Sequence, residues 1–455
     1  MRPVLTAALL GTSMLGLPTV AHAQAMSADE AATLRAELAA LKSQVQTLEA
    51  RLDAATGETA TATAPAPTPT PTPTVTAKPA TDISWKGAPE IKTADGWSFK
   101  PRGRAQFDVA GIDAPAGVLG THGGMATEIR RVFLGVDGKI PGGFSYRVEA
   151  DFANSAVELT DIYFTYGPGP LSVTVGHIRP FTSLDDMTSD LFTSFTERAA
   201  FVQAFGFERR VGLSTQYKGE GFLVQAGVFG DNANDLLNDA NNSISGDVRA
   251  VWTPKLGKTQ LHLGGSAHIR DFNDQSPNAR YRARPFVHTT DTRLIDTGNI
   301  GATGERGYGL EAAMNSGPFH AAAEGYWQTA KRPGFADPTF FGGYAEVGMV
   351  LTSGDSRSYK DGAFDRLKPS KSITDGGIGA IEINARYDYL DLNDNGIVGG
   401  RQRTALIGVV WAPIDYIRVI ANYGRVKIND AVVATATGDR DYSADVFGLR
   451  TQIDF

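Results

Sequence analysis

The sequence has no cysteine, and its net charge of −7 shows no excess of basic residues. Beyond the extreme N-terminus it also lacks any stretch of about 18 apolar residues, which argues against membrane-spanning helices. A chain without cysteine needs no disulfide pairing on export, and the mild charge gives no sign of a nucleic-acid partner. Two classes remain, a soluble multidomain protein and a β-barrel, whose alternating pattern keeps its mean hydropathy low.

Residues 1–23 are predicted to be a secretory signal peptide that is cleaved after export. Arg2 is the only charged residue, an apolar run extends from Val4 to about Leu17, and the small-residue site Ala21-His22-Ala23 follows. This three-part pattern is typical of signal peptides. A buried helix of the mature protein is the alternative interpretation.

Residues 24–54 are predicted to form a short coiled coil in the periplasm. Apolar side chains recur four and three residues apart, at Leu34, Leu38, Leu41, Val45, Leu48 and Leu52. Only about three heptads are present, so the helix needs neighbouring copies to be stable. An amphipathic helix packed on its own domain remains the alternative. Residues 55–84 follow as a linker rich in Pro, Thr and Ala, which favours extended polyproline II structure.

Residues 85–455 alternate between apolar and polar side chains. Within 144–152 the apolar parity begins at Phe144, while the opposite parity carries charges such as Arg147 and Glu149, and 261–270 and 381–389 repeat the split. Successive side chains of a strand point to opposite faces. A soluble sandwich would alternate too, but aromatics near strand ends and arginines on the polar face favour a membrane barrel. We therefore predict an all-β fold, a single transmembrane antiparallel β-barrel of about 16 strands.

Turns and loops of the barrel can be placed from composition. The short turns expected on the periplasmic side fit Gly138–Gly143 and Gly167–Gly169, and Asp391–Gly396 is interpreted as a strand-connecting turn. Longer polar stretches are predicted to be external or lumen-facing loops. They are 231–245, 271–303, 353–376 and 428–441.

Several segments resemble the phosphate-selective porins O and P. The segments are Gly103-Arg104-Ala105-Gln106, Ile129–Gly135, Tyr146–Phe152, Leu171–Gly176, Met187–Ser189 with Phe195–Arg198, Tyr359–Phe364 and Arg386–Leu390. The resemblance implies a trimeric barrel of 16 strands in the outer membrane, in contact with its lipid, through which small anionic solutes diffuse. Its third external loop, within about 178–210, would fold into the lumen. The final strand, ending at Phe455, resembles the signal recognised by the barrel-assembly machinery.

The resemblance also implies an inward ladder of cationic side chains leading to a constriction. The matching residues are Arg104, Arg131, Arg198, Arg249 and Arg270, with Lys331 as a looser match. Phe133 would also face inward, near the constriction. Arg130 falls on the outer parity and is expected at the membrane interface. The alternative is that these arginines brace the barrel wall by pairing with inward carboxylates such as Glu149, Asp151 and Asp388.

One departure from the family concerns the lumen loop. Asp186 and Asp190 occupy positions where the phosphate porins carry lysines, and Asp185 adds a third carboxylate. Carboxylates repel phosphate, and the salt dissolved in a water-filled pore screens this repulsion only partly, over a Debye length of about 8 Å. We therefore expect modest anion preference with weak phosphate binding. The alternative is that these carboxylates face away, or pair with Arg179 and Arg198, and leave a cationic site intact.

Two other functional classes compete with a diffusion pore. An enzyme is not expected, because the histidines are scattered and neither a Gly-x-Ser-x-Gly nor a His-Glu-x-x-His motif occurs. No catalytic residue, metal or cofactor is predicted. The second class is an envelope tether or structural barrel whose coiled coil contacts the cell wall.

Overall fold

The computed structural model describes residues 42–43, 46–47, 81–119, 124–153, 156–235, 242–272 and 279–455. The predicted signal peptide, the heptad leucines and the linker up to residue 80 lie outside these residues. Lys42, Ser43, Gln46 and Thr47 are helical. Within the described residues, no helix is both long enough and apolar enough to cross a membrane.

The described elements are mostly strands. In chain order they are β1 (Thr81–Lys86), β2 (Ala88–Thr93), β3 (Ser98–Asp113), β4 (Gly124–Ile140), β5 (Phe144–Asp151), β6 (Glu158–Tyr166), β7 (Leu171–Ile178), α1 (Leu184–Met187), α2 (Ala200–Ala204), β8 (Arg210–Gly219), β9 (Phe222–Phe229), β10 (Ile244–Trp252), β11 (Lys255–Leu256), β12 (Thr259–Asp271), β13 (Arg282–Ala283), β14 (Ile295–Asp296), β15 (Gly304–Ser316), β16 (Phe319–Lys331), β17 (Thr339–Val350), β18 (Arg357–Lys360), β19 (Ala363–Leu367), a 3₁₀ turn (Ile373–Asp375), β20 (Ala380–Asp394), β21 (Ile397–Ile414), β22 (Ile417–Asn429) and β23 (Tyr442–Asp454).

Sixteen of these strands close into an antiparallel barrel, which confirms the predicted fold class and strand number. They are β3–β10, β12, β15–β17 and β20–β23. Closure occurs where β23 pairs with β3, with Gln452 opposite Gln106. A β1–β2 hairpin precedes the barrel and joins it through the Ile91–Phe99 pair. Closure leaves the barrel no sheet edge, as a membrane-spanning sheet requires.

The two faces of the barrel follow the predicted alternation. In β5, Val148 is exposed on the outside while its neighbour Glu149 is buried inside. In β21, Ile407 is exposed outside and Leu406 is buried inside. An apolar outer surface and a polar inner one suit a barrel surrounded by lipid.

The two ends of the barrel differ in the length of their connections. One end, here called the turn end, has short links such as 141–143, 167–170 and 415–416. The other, the loop end, has the longer links 179–209, 230–243, 272–303 and 430–441. The stretch predicted at 353–376 belongs to the turn end, because it joins β17 to β20. Its hairpin β18–β19 enters the lumen, where Arg357 Nη1 donates to Ser194 Oγ at 2.6 Å.

Residues 179–209, here called the lumen loop, form the third connection of the loop end and cross the interior. Their apolar residues form a core inside the barrel with residues of 279–302 and with the inner wall. Phe201 of α2 is fully buried, and its ring stacks on Tyr326 and Tyr344 with centroids 6.0 and 6.5 Å away. The loop therefore packs against the β16–β23 side of the lumen.

A β-bulge changes the facing of one arginine. Gln106 pairs with Arg131 but Phe107 pairs with Ile129, so Arg130 is an extra residue in β4. Such an insertion shifts the alternation by one position. Arg130 consequently turns inward, and its Nε lies 3.4 Å from Glu197 Oε1. The prediction that Arg130 lies at the membrane interface was wrong for this reason.

The bulge can be tested with single cysteines, since the chain has no native cysteine. In Arg130→Cys, a charged methanethiosulfonate reagent added to the water phase should lower single-channel conductance, because the new thiol faces the lumen. Ile129→Cys is the control and should not respond, because Ile129 is exposed on the lipid side. A response from position 129 with none from position 130 would contradict the bulge.

Candidate constriction and cationic vestibule

A cavity of about 390 Å³ opens between the lumen loop, residues 280–293 and the inner faces of β4 and β23. We call it the vestibule. Its charged lining consists of nine arginines, three carboxylates and one histidine. The residues are Arg130, Arg131, Arg179, Arg198, Arg280, Arg282, Arg284, Arg293 and Arg450, Asp190, Glu197 and Glu208, and His288. Cations therefore outnumber carboxylates threefold along this wall.

Asp190 anchors the group of predicted residues that the fold brings together. Its carboxylate forms an ion pair with Arg104 and a second with Arg131 Nε at 3.0 Å. The Arg104 guanidinium also lies 4.6 Å above the Phe133 ring. Burial opposes ionisation of Asp190, but the two guanidinium groups outweigh it and hold its pKa well below the ordinary value. Asp190 is thus neutralised by its partners.

The other two carboxylates of the lumen loop are also paired. Asp186 binds Arg179, and Asp185 Oδ1 lies 3.1 Å from Arg386 Nη2 on the barrel wall. Asp186 also accepts a 3.3 Å hydrogen bond from Thr182 Oγ1. All three carboxylates are thus paired, as the alternative interpretation expected. Only Asp186 has one of the expected partners, because Asp185 and Asp190 pair with arginines of the barrel wall.

Among the described residues, Arg198 donates hydrogen bonds to backbone oxygens only. Its Nε and Nη2 donate to Asp185 O at 2.9 Å and Thr188 O at 2.6 Å. Within the described residues, three vestibule arginines have no carboxylate oxygen within 4 Å; these are Arg198, Arg282 and Arg293. Their charges remain available to a solute.

The loop-end side of the vestibule is the most positive. Burial lowers the pKa of Arg293 to about 10, and repulsion from Arg284 and Arg282 adds to this shift. Glu197 has the opposite environment. Burial opposes its ionisation, but Arg130 and Arg450 hold its pKa at about 2. Glu197 therefore stays ionised at neutral pH and fixes these two arginines.

Side chains of the barrel wall hold the lumen loop by its backbone. Glu324 accepts hydrogen bonds from the amides of Leu184 and Asp185 at 2.8 and 2.7 Å. Asp388 accepts from the Ala200 amide at 3.1 Å. Arg418 donates to Leu191 O and Thr193 O, and Asn422 accepts from the Thr196 amide. A loop inside a barrel must satisfy its polar backbone in this way.

Three predicted pathway residues lie elsewhere. Arg249 is fully buried, bonded to Glu311 Oε1 at 2.7 Å and to Gly362 O at 2.8 Å. Arg270 lies near the loop end, 2.7 Å from Asp231 Oδ1. Both arginines face inward and act as braces between wall and loops. Lys331 is exposed and lies on the outward parity, in the same row as Gly304 and Asp271.

The vestibule contains arginines that were not predicted from the sequence to line the anion pathway. Arg280, Arg282 and Arg284 come from a segment predicted only as a long polar loop. Their period-two spacing was a signal, because in an extended segment such residues share one face. Arg450 could also have been predicted to face inward, since it alternates with the apolar Leu449 in the last strand.

The comparison with known families agrees with this geometry. The profile of the family described as phosphate-selective porin O and P matches residues 99–455. This chain belongs to that family. The porin's matched region includes all sixteen barrel strands except the first residue of β3. An outer-membrane diffusion channel is the function of such a barrel.

Individual relatives extend the comparison. An uncharacterized protein of Caulobacter vibrioides is 46% identical over 481 residues, covering 100% of this chain and 97% of the relative. The trimer form of in-vitro folded OmpT, an outer membrane protein of Vibrio cholerae, aligns with a TM-score of 0.52 at 11% identity, covering 79% of the porin and 100% of OmpT. Another structure of in-vitro folded OmpT gives a TM-score of 0.50 at 11% identity, covering 79% of the porin and 98% of OmpT. At this identity the likeness shows the fold alone.

Arg386 provides a test of how the lumen loop is held. Arg386→Met should destabilise the porin by about 3–5 kcal/mol, because it leaves the buried carboxylate of Asp185 without its cationic partner and removes one of those of Glu346. The loosened loop should also increase open-channel noise. Thermal unfolding in detergent and single-channel recording would measure these effects.

The matched control is Arg425→Met. It breaks an outward ion pair with Asp445 whose arginine is 60% exposed, and such pairs contribute at most about 1 kcal/mol. Equal stability losses for the two variants would contradict the role given to Arg386.

Proposed function

We propose that this porin passes small anions by passive diffusion, with modest selectivity set by the vestibule. The observation that carries the proposal is the surplus of arginines over carboxylates, including three arginines with no described carboxylate partner. A water-filled entrance of one sign raises the local concentration of counter-ions. The porin needs no catalytic group for this role, and we propose that it is not an enzyme.

The proposed route runs from the vestibule along the β3–β8 wall. On this wall the side chains of Arg102, Arg147 and Asp137 are 17%, 27% and 36% exposed. On the opposite side of the lumen, the side chains of Arg386 on the wall and of Arg357 in the β18–β19 hairpin are each only 3% exposed, because the lumen loop and the hairpin fill that side. Arg102 and Arg147 would therefore continue the cationic path below Arg131. Lys331, Arg249 and Arg270 have no part in this route.

Charge reversal at the unpaired arginines tests the proposed selectivity. A unit charge about 8 Å away in water changes the free energy of an ion by about 0.5 kcal/mol, roughly twofold in concentration. Arg282→Glu with Arg293→Glu changes the charge by four units, which amounts to about 2 kcal/mol and should reduce anion occupancy roughly thirtyfold. The reversal potential in a salt gradient should move toward cation selectivity.

The control is Arg306→Glu with Lys331→Glu. This pair makes the same charge change at the loop end, but on the outward face. The hypothesis is rejected if the control shifts the reversal potential as much as the vestibule variant does.

We further propose that phosphate blocks the native pore weakly, because Asp190 already occupies Arg104 and Arg131. Asp190→Asn should release Arg131 and the Nη1 group of Arg104 for an anion, while Arg104 Nη2 keeps its contact with Glu149 at 3.4 Å. One additional charge-assisted contact of about 1.4 kcal/mol would lower the half-blocking phosphate concentration about tenfold. Asp445→Asn, which removes an outward carboxylate, is the control. Strong phosphate block of the native pore, or none gained by Asp190→Asn, would contradict this proposal.

The porin is also proposed to assemble as a homotrimer through its short wall, β5–β10. These strands contain eight to ten residues, whereas the other barrel strands contain 12 to 18. Eight residues tilted by about 40° span roughly 20 Å, less than the apolar band of about 25 Å. In a trimer, neighbouring copies would shield the short wall from lipid, so that its strands need not span the full apolar band. The structure of OmpT, to which this fold is similar, is also a trimer form.

Fluorescent labels on single cysteines can locate the trimer contact. A label at Val175→Cys on the short wall should be shielded from a quencher dissolved in the lipid, whereas one at Leu310→Cys should be quenched. Both native residues are exposed in the single chain. Equal quenching at the two positions would exclude the short wall as the interface.

The coiled coil and linker are proposed to assist assembly and to reach the cell wall. A pure envelope tether is the second candidate function, motivated by the heptads alone. Deletion of residues 24–80 separates the two, because the proposed pore still conducts without them and a pure tether loses its role.

A further inference from the structure

The outer face of β16, β17 and β20–β23 carries an apolar groove, and a group of basic side chains lies next to its end on β21 and β22. The groove has a volume of about 650 Å³. Its lining includes Val347, Ile383, Ile407 and Val409, with the small residues Ala385 and Ala421 between them. The long strands of this wall face away from the proposed short-wall interface, so lipid is the surrounding medium.

The strand register shows that the basic side chains lie next to the groove, on the side nearer the loop end. Ile407 pairs with Tyr423 at the end of the groove, Ala405 with Arg425 in the next row, and Arg403 with Lys427 in the row after that. Two residues along a strand advance about 7 Å. Arg401 lies one row further, and we call Arg401, Arg403, Arg425 and Lys427 the basic corner.

The basic corner is only partly neutralised. Arg401 Nε lies 2.7 Å from Asp391 Oδ2, and Arg425 Nη1 lies 2.7 Å from Asp445 Oδ2. Arg403 donates to Asn429 Oδ1 at 2.9 Å instead of to a carboxylate. Within the described chain, neither Arg403 nor Lys427 has a carboxylate oxygen within 4 Å, although the two are opposite each other. Like charges in that position destabilise a sheet unless an anion lies between them.

The groove and the basic corner together match an amphiphile. Tyr387 and Tyr389 flank the boundary between them, at the level where aromatic side chains mark the membrane interface. Ala405 is the only side chain of β21 between the groove and Arg403 on this face, and its small size leaves the passage open. An acyl chain can occupy the groove while an oxyanion headgroup reaches Arg403 and Lys427.

We propose that this surface binds an anionic glycolipid of the outer leaflet. The loop end of a porin faces the cell exterior, so the basic corner lies at the height of the outer headgroups. Arginine suits such groups because its planar donors bind phosphate or carboxylate in a bidentate way. The site is separate from the pore, since all four basic side chains point away from the lumen.

The test uses purified full-length porin and lipid A as the probe. Native mass spectrometry would count bound lipid A for Arg403→Gln with Lys427→Gln, which should bind about tenfold more weakly than the native porin. Ala405→Trp, which fills the passage, should weaken binding without any change of charge. The matched control, Arg306→Gln with Lys331→Gln, removes two outward loop-end charges away from the groove and should bind normally.

Channel conductance provides the measure of intact folding and should be unchanged in all three variants. Should the Arg403 and Lys427 variant fail to assemble, Ala405→Trp still decides the question through its loss of lipid A. The proposal is overturned if both variants bind lipid A as the control does. It is also overturned if phosphatidylglycerol binds as tightly as lipid A, because the surface would then be a phospholipid contact.

Discussion

Hydrogen bonds from the barrel wall to the backbone of the lumen loop are the interaction on which the pore depends. Glu324 fixes the start of α1 and Asp388 fixes the start of α2. Each accepts amides that would otherwise be buried without a partner, and that loss is costly inside a barrel. Because these acceptors lie on β16 and β20, the loop lies on their side, and the water path is left to the opposite wall.

This asymmetry separates two uses of charge. Under the loop, Arg386, Glu346 and Asp185 are dry and closely paired, so they serve stability. In the vestibule the arginines have partners for only part of their charge, so they can serve solutes. The two uses are linked by the lumen loop, since its Asp185 pairs with Arg386 on the dry wall while its Arg198 faces the vestibule. The selectivity that we propose for this porin would therefore follow from how the loop docks.

Much of the fold was predictable because a barrel repeats one simple rule. Alternation identified the strands, and the family resemblance supplied the count of 16 and the lumen loop. The bulge at Arg130 was not predictable. Arg130 and Arg131 are adjacent and both polar, so the sequence alone does not show which of them continues the inward alternation. The partners of Asp190 were also hidden, because Arg104 and Arg131 come from strands whose distance to the loop only the tertiary structure sets. Lys331 was misplaced although its parity, shared with Trp327, already pointed outward.

The pairing of β3 with β23 has a consequence for biogenesis. The two strands that seal the cylinder are separated by more than three hundred residues, and contacts of such long range form slowly. Until they meet, both strands have unpaired edges, which are prone to aggregation. The lumen loop contacts both strands of this seam, because Asp190 pairs with Arg104 of β3 and Gln452 Nε2 of β23 donates to Leu191 O at 3.0 Å. Synthesis order thus makes the last strand both the final piece of the wall and the step that locks the interior.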